Sequence, residues 1–263
     1  MEPIGIEQQA DRLRELHRPT LVIGNVWDAA SARIFERAGF EAIGTSSAGV
    51  AYALGYPDGE KLSREEMMEV VARVAKAVRV PVTADVEAGY GDPVETARRV
   101  WAAGAVGMNL EDTEGGDTLI DLRPAIREIR AAVPKMVINA RTDIFLNQIG
   151  EAATRFDRAV ERLRMYREAG ADCVFAPGVR DGETIARLVA ALSCALNVLA
   201  TVGSPSIAEM KAMGVARVSV GSGPMRATLG LCDRIARELH DRGTYTSMLE
   251  GAIPYADVNR LME

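Results

Sequence analysis

Short apolar runs alternate with longer amphipathic stretches along the whole chain. The runs at 20–24 (TLVIG), 41–46 (EAIGTS), 80–85 (VPVTAD), 106–110 (VGMNL), 136–141 (MVINAR), 172–176 (DCVFA), 196–200 (LNVLA) and 216–220 (ARVSV) predict β-strands. Between them, apolar positions recur at helical spacing near 28–38, 63–78, 93–103, 121–132, 151–169, 181–192, 205–213 and 224–241. Ser63-Arg64-Glu65-Glu66 opens the second of these helices with an acid three residues after a serine, the spacing of a capping box. Ala38-Gly39, Ala103-Gly104 and Ala169-Gly170 read as helix stops, because glycine adopts the left-handed conformation at low cost.

Eight strand–helix units in order predict a parallel sheet. Eight such units close into a (β/α)8 TIM barrel, and an open doubly wound sheet is the alternative. Even spacing, with no linker, low-complexity stretch or second domain, favours a barrel over residues 1–241. Residues 242–263 then form a partly helical C-terminal extension suited to oligomer contacts.

Composition narrows the class. The 263 residues are 48% hydrophobic and carry a formal net charge of −6, which argues against nucleic acid as a partner. No apolar run reaches the roughly 18 residues of a membrane span, and the N-terminus lacks the pattern of a signal peptide. Three scattered cysteines, Cys173, Cys194 and Cys232, have no metal or redox spacing and fit reduced thiols in a cytoplasm. The chain has only two histidines, His17 and His240, and only four lysines, Lys61, Lys76, Lys135 and Lys211.

The segment Val82-Thr83-Ala84-Asp85-Val86-Glu87-Ala88-Gly89-Tyr90-Gly91 carries the most chemistry. An apolar run ends in two carboxylates one residue apart and then in glycines. Such a strand end suits a hard divalent cation such as Mg²⁺, which takes oxygen ligands and keeps several waters. The alternative is a strand leaving the core with solvated acids. In a barrel of this kind, functional residues sit at the C-terminal strand ends. Here these ends hold Asn25 to Asp28, Thr45 to Gly49, Asp85 with Glu87, Glu111 with Asp112, and Arg141 to Asp143, while strand 7 contains Asn197. Converging acids repel one another unless a cation lies among them. A metal would leave Arg141 to grip an anionic substrate; otherwise Arg141 pairs with Asp143 or Glu111. Asp112 and Asp143 read as helix caps. Ser46 and Ser47, beside Ala48-Gly49, read as a polar turn or as an anion cradle.

The scarcities exclude other chemistry. No histidine lies at a strand end, so a three-His zinc site or a histidine base is not expected. No lysine lies there either, which argues against a Schiff base. Cys173 is expected in the core. A metal-and-carboxylate site without these groups suits stabilisation of an enolate beside a carboxylate. Gly221-Ser222-Gly223 is a candidate phosphate loop or, with Pro224 following, a plain helix start.

Several strings in order resemble the isocitrate lyase/phosphoenolpyruvate mutase superfamily over about residues 18–240. They are Asn25-Val26-Trp27-Asp28-Ala29-Ala30-Ser31-Ala32, Ser46-Ser47-Ala48-Gly49-Val50, Tyr56-Pro57-Asp58, Ala84 to Gly91, Asn109-Leu110-Glu111-Asp112 and Asn139-Ala140-Arg141-Thr142-Asp143. The resemblance implies a Mg²⁺-binding barrel that makes or breaks C–C or P–C bonds in 2-oxo or related carboxylates. By position, Asp85 would ligate the metal directly, Glu87 (where relatives usually have Asp) through water, and Glu111 through metal-bound waters. Asp58 would support that shell, and Arg141, Glu111 and Asp58 would be the catalytic set. Trp27, Ser46, Ser47, Ala48, Arg141 and Asn197 would face the substrate. Family members are typically tetramers that swap a C-terminal helix, so a homo-oligomer, dimer or tetramer, is implied.

The chain also departs from the lyases of that family. They carry a Lys-Lys-Cys-Gly or Lys-Arg-Cys-Gly loop after the strand 4 acid, whereas here Glu111-Asp112 runs into Thr113-Glu114-Gly115-Gly116-Asp117-Thr118. Asn109 replaces a histidine, and Phe175-Ala176-Pro177-Gly178 lacks a charged group found near strand 6. These differences argue against isocitrate or methylisocitrate lyase activity. The expectation is a Mg²⁺-dependent lyase or decarboxylase, like oxaloacetate decarboxylase, that passes a small 2-oxo (di)carboxylate through a metal-stabilised pyruvate enolate. The alternatives are a mutase or hydrolase of a phosphonopyruvate-like substrate and a non-catalytic 2-oxo acid binding protein. Space left by the short loop would be filled by a neighbour's tail, by residues 145–150 or by solvent.

Overall fold

All eight apolar runs form parallel strands in a computed structural model that describes residues 5–114, 116 and 118–263. The first half runs α1 (Ile6–Leu16), β1 (Leu21–Val22), β2 (Gly24–Val26), α2 (Ala29–Arg37), β3 (Ile43–Thr45), α3 (Ser47–Leu54), α4 (Arg64–Ala77), β4 (Val82–Asp85), α5 (Pro93–Ala102) and β5 (Gly107–Glu111). A hairpin of β6 (Thr113–Glu114) and β7 (Thr118–Leu119) follows, then α6 (Arg123–Ala132), β8 (Val137–Arg141), α7 (Ala152–Ala169), β9 (Cys173–Phe175) and α8 (Gly182–Leu192). The chain ends with β10 (Leu196–Leu199), α9 (Ile207–Ala212), β11 (Arg217–Ser219), α10 (Gly223–Arg242), α11 (Thr246–Leu249) and α12 (Tyr255–Met262).

The sheet order is β1-β11-β10-β9-β8-β5-β4-β3-β2. Because β1 and β2 are two pieces of one stave, pairing of Leu21 with Arg217 on one side and Gly24 with Ile43 on the other closes the barrel. Strand side chains alternate in facing. Ala84, Met108, Leu110, Ile138, Ala140, Val174 and Val198 join the helices in the main apolar core. The alternate positions carry Thr83, Asn109, Asn139, Cys173, Asn197 and Arg217, all buried. Cys173 is a core thiol, as expected.

Two helices were not legible from the pattern. The strongly polar α1 packs Ala10 and Leu13 against Leu21, Ile23, Val106 and Val137 and so plugs the N-terminal end of the barrel. Helix α3 is buried from Ser47 to Ala51 and therefore shows no amphipathic period. The capping box at Ser63 and the left-handed glycines at 39, 104 and 170 form as predicted. Beyond α10, α12 lies on α2, where Arg33 Nη1 donates to the Leu261 carbonyl at 2.7 Å. Among the described residues no helix is long and apolar enough to cross a membrane.

His17 ends α1 with its Nδ1 2.7 Å from the Leu13 carbonyl and its Nε2 buried without a partner. Burial, followed by the Arg217 charge, lowers its pKa from 6.5 to about 4. The unfolded chain thus binds the extra proton first, and stability falls as pH drops through the window from 6.5 to 4. The full penalty is about 3 kcal/mol. A His17→Gln variant is expected to lose less stability than the parent between pH 7 and pH 4, as read by urea unfolding at each pH.

Candidate active site

The third barrel strand, β4, ends at Asp85. Asp85 leaves β4 with its backbone N–H bound to Thr45 Oγ1 at 2.8 Å. Its Oδ2 accepts from the Ser47 N–H at 3.2 Å and the Ser47 hydroxyl at 2.9 Å, and its Oδ1 accepts from Asn109 Nδ2 at 3.3 Å. Asn109 is held in turn by Asn139 Nδ2 at 2.9 Å and Arg217 Nη2 at 3.1 Å. The orientation of Asp85 is thus fixed from β5, β8 and β11 through one amide.

Two loops lock together beside it. Glu60, Glu87 and Tyr90 all have φ near +50°, a sparsely populated conformation for residues with a Cβ. Glu60 N–H donates to Glu87 Oε2 at 2.5 Å, and Tyr90 N–H donates to Glu60 Oε1 at 2.8 Å. Glu87 is only 5% exposed, so both its geometry and its solvation are set by the loop of residues 58–61.

On the other side, Arg141 lies between two acids. Its Nη1 is 2.8 Å from Glu111 Oε2, and its Nε and Nη2 donate to Asp143 at 2.6 and 2.9 Å. Both ion pairs contemplated from the sequence therefore exist together. Asp112 and Asp143 do not cap helices: α6 and α7 begin at Leu122 and Glu151 without side-chain caps. Asp112 instead accepts from Arg162 Nε at 2.7 Å, the Tyr166 hydroxyl at 2.8 Å and Asp143 N–H at 3.0 Å. Burial makes the difference, because a fully enclosed carboxylate needs charged or multiple donors.

The acids strain against their surroundings. Burial, then Asp85, pushes the Glu87 carboxyl up to about 7. Burial and Asp85 also raise Asp58. Burial raises Glu111 well above its ordinary value, with Arg141 pulling the other way and Asp143, Asp85 and Glu87 adding to the rise. Arg141 stays charged because Glu111 and Asp143 outweigh its desolvation. The donors are carboxylate oxygens, the set that a hard divalent cation takes. Among the described residues no three such side chains close on one point. Mg²⁺ does not need them to, since it is bound through one or two carboxylates with waters and substrate oxygens completing the shell. The residues fit that mode.

Asp58, Glu60, Glu87, Glu111 and Arg141, with Ser47, Lys61, Thr113 and Asp143, line a cavity of about 440 Å³ at this end of the barrel. Leu146, Asn147 and Gly116 close its far side, with Asn147 Nδ2 donating to the Gly116 carbonyl at 2.6 Å. Of the three candidates, the 145–150 segment occupies the ground beside the short hairpin. A wider surface hollow of about 700 Å³, lined by Arg12, Glu15, Arg18 and Glu41, belongs to the opposite end and gathers no C-terminal strand-end residue.

Ser46 caps α3, its Oγ accepting from Gly49 N–H at 3.1 Å, and both Ser47 donors are turned to Asp85. The Ala48 N–H, at the second helical position of α3, has no intrahelical partner. Trp27 packs partly buried against the core. Asn197 is fully buried inside the barrel and does not line the cavity. The candidate phosphate loop is already engaged: Val220 and Gly221 N–H groups donate to Asn25 Oδ1 at 2.8 and 3.1 Å, and Gly223 N–H donates to the Val220 carbonyl. That segment is a helix start. The lysine argument also needs correction. No lysine stands at a strand end, yet Lys61 reaches the cavity from the loop before α4. Its only signal was its place in Asp58-Gly59-Glu60-Lys61, next to a proposed site residue.

Comparison with known proteins agrees with the barrel fold. The chain is 39% identical to a solved protein from Burkholderia cenocepacia J2315, with a TM-score of 0.87 over 97% of this chain and 95% of that one. It is 32% identical over 237 residues to the oxaloacetate decarboxylase of Chromohalobacter salexigens, covering 82% of this chain and 79% of the relative. A structure of oxaloacetate acetylhydrolase with its product oxalate superposes with a TM-score of 0.86 at 26% identity, covering 97% and 94% of the two chains. The phosphoenolpyruvate phosphomutase family model matches residues 13–240. The chain belongs to that family, within the isocitrate lyase/phosphoenolpyruvate mutase superfamily.

Proposed function

We propose that this protein is a Mg²⁺-dependent lyase of a small 2-oxo dicarboxylate, with decarboxylation of oxaloacetate as its reaction. The observation that carries this reading is the crowding of Asp58, Glu87 and Glu111 at the barrel mouth, each with a raised carboxyl pKa, around Asp85. Burial, with this repulsion added to it, makes the ionised acids costly unless a cation is bound there in use. Asp85 and Glu87 would hold the ion, with Glu111 and Asp58 acting through its waters. Mg²⁺ would supply Lewis-acid polarisation of the 2-oxo group.

The chain's own groups do the rest. Ser47 and Asn109 keep Asp85 in one orientation. Arg141, fixed by Glu111 and Asp143, presents its remaining N–H bonds to the substrate oxygens beside the ion. The Ala48 N–H adds a donor at the N-terminus of α3, where an anion is favoured. Leu146 adds an apolar side chain to the cavity wall. Decarboxylation asks least of the short hairpin, because CO₂ leaves from an already ionised carboxylate and no base is needed to start it. The similarity to an oxaloacetate decarboxylase points the same way.

Scission of a P–C bond is the second reading, supported by the name of the matching family model. The test is incubation with oxaloacetate, phosphonopyruvate and methylisocitrate, with and without Mg²⁺, following pyruvate. Release from oxaloacetate that stops with EDTA is expected. Saturable oxalate binding without turnover of any of the three would instead make this a 2-oxo acid binding protein. The same reading includes assembly through the tail, where Tyr245, Leu249 and Tyr255 are 57%, 61% and 84% exposed. Sedimentation at equilibrium is expected to show a dimer or tetramer that residues 1–241 alone do not form.

A further inference from the structure

Loss of CO₂ from a 2-oxo dicarboxylate leaves a carbanion-like carbon that must take up a proton, and the described hairpin residues that line the cavity, Thr113 and Gly116, are not titratable. The donors around the cavity can be gone through one by one. The Ser47 hydroxyl is given to Asp85, and the Thr113 hydroxyl to Asp143 at 2.9 Å. Asn147 Nδ2 is given to the Gly116 carbonyl. Arg141 is tied to Glu111 and Asp143, and a guanidinium does not release protons near neutrality. In the reading given above Asp58, Glu87 and Glu111 serve the ion and its waters, while the carboxylates of Glu60 and Asp143 are held by Tyr90 and Arg141. Lys61 alone among the described lining residues is a titratable cation with no ion pair or hydrogen bond to another described residue.

Its anchorage also suits the task. The residue before it, Glu60, is bolted at its N–H to Glu87 and at its carboxylate to Tyr90. The backbone at position 61 is therefore fixed against the metal-facing acids, while a flexible four-carbon stem carries the ammonium. Lys61 is itself exposed, so the amine left after transfer can be recharged from bulk water.

We propose that Lys61 is the proton donor of this reaction, an inference that rests on the 2-oxo acid reading given above. In the step, an N–H bond of the Lys61 ammonium breaks as a C–H bond forms at C3 of the enolate, giving pyruvate and a neutral amine. A solvent proton then restores the ammonium. No oxidant, reductant or co-substrate is needed. Run in reverse, the neutral amine takes a methyl proton from pyruvate, so the protein exchanges those protons with solvent.

The experiment uses the full chain with Mg²⁺, pyruvate in D₂O followed by proton NMR, and oxalate binding followed by calorimetry. Lys61→Met and Lys61→Arg are both expected to lose methyl exchange by about 10²-fold or more, the usual size of a general acid–base contribution. Oxalate affinity in both is expected to stay within about threefold of the parent, which shows an intact site. The arginine variant separates proton transfer from charge, because it keeps the positive charge but its guanidinium is too weak an acid to give up a proton near neutrality. Exchange at the parental rate in either variant overturns the proposal, as does a parent that binds oxalate and exchanges nothing. A parent that binds no oxalate overturns the functional reading beneath it.

Discussion

Replacing Asp85 with alanine is expected to reduce Mg²⁺-dependent pyruvate release from oxaloacetate by about 10³-fold or more, the scale on which preorganised charge stabilisation acts. The argument is geometric. Both oxygens of Asp85 are oriented by uncharged neighbours, Ser47 on one and Asn109 on the other. Those neighbours point it rather than neutralise it. Without the carboxylate, Glu87 is left held by the amide of Glu60, and Glu111 by Arg141, so neither is placed to take over. The loss is expected in both kcat and affinity for Mg²⁺, measured by steady-state kinetics across a Mg²⁺ series and by calorimetry. Asp85→Asn keeps the size and the acceptor for Ser47 but not the charge, so it is expected to fall nearly as far. Full activity in the asparagine variant would remove charge from the account.

Asp112 carries the largest expected cost in stability. It has no exposed surface and accepts from a guanidinium, a phenol and a backbone amide. Asp112→Ala would strand Arg162 and Tyr166 together beneath the hairpin. Breaking a buried charge pair by removing one partner costs about 3–5 kcal/mol. Urea unfolding of the two proteins reads this directly as a shift in midpoint. A catalytic consequence is expected too. The Asp143 N–H loses its acceptor, and Asp143 positions Arg141, so the folded fraction of Asp112→Ala should show a raised KM for oxaloacetate. An unfolding midpoint unchanged from the parent would mean that the three donors find other partners at no cost.

Much of the architecture could be read from the sequence because its physical signals are local. A parallel strand buried on both faces is an apolar run, and a helix covering it is amphipathic, so eight alternations gave the barrel. What escaped has a common cause. Helix α3 is apolar all round because it is enclosed, and α1 is polar because only Ala10 and Leu13 go inward. The site divides the same way. Asp85, Glu87, Glu111 and Arg141 converge because each stands at or just past a strand end, where the fold dictates position, whereas Asp58 comes from the loop between α3 and α4. Lys61 and Glu60 depend on left-handed backbone at Glu60, Glu87 and Tyr90, which nothing in those residue types announces. Asn197, placed within strand 7 from the sequence, is the second residue of β10, fully buried and outside the cavity lining, and side-chain type alone does not give position along a strand.

The central claim is that the acids after the third and fourth barrel strands hold a divalent cation together with a 2-oxo acid mimic. Crystals grown with Mn²⁺ and oxalate, with data collected at the manganese absorption edge, test it most directly. The account predicts a single strong anomalous peak beside the Asp85 carboxylate, with oxalate oxygens in contact with the ion and Arg141 within hydrogen-bonding distance of the oxalate. Oxalate bound elsewhere, or no peak in this cavity while the protein still releases pyruvate from oxaloacetate, would contradict it.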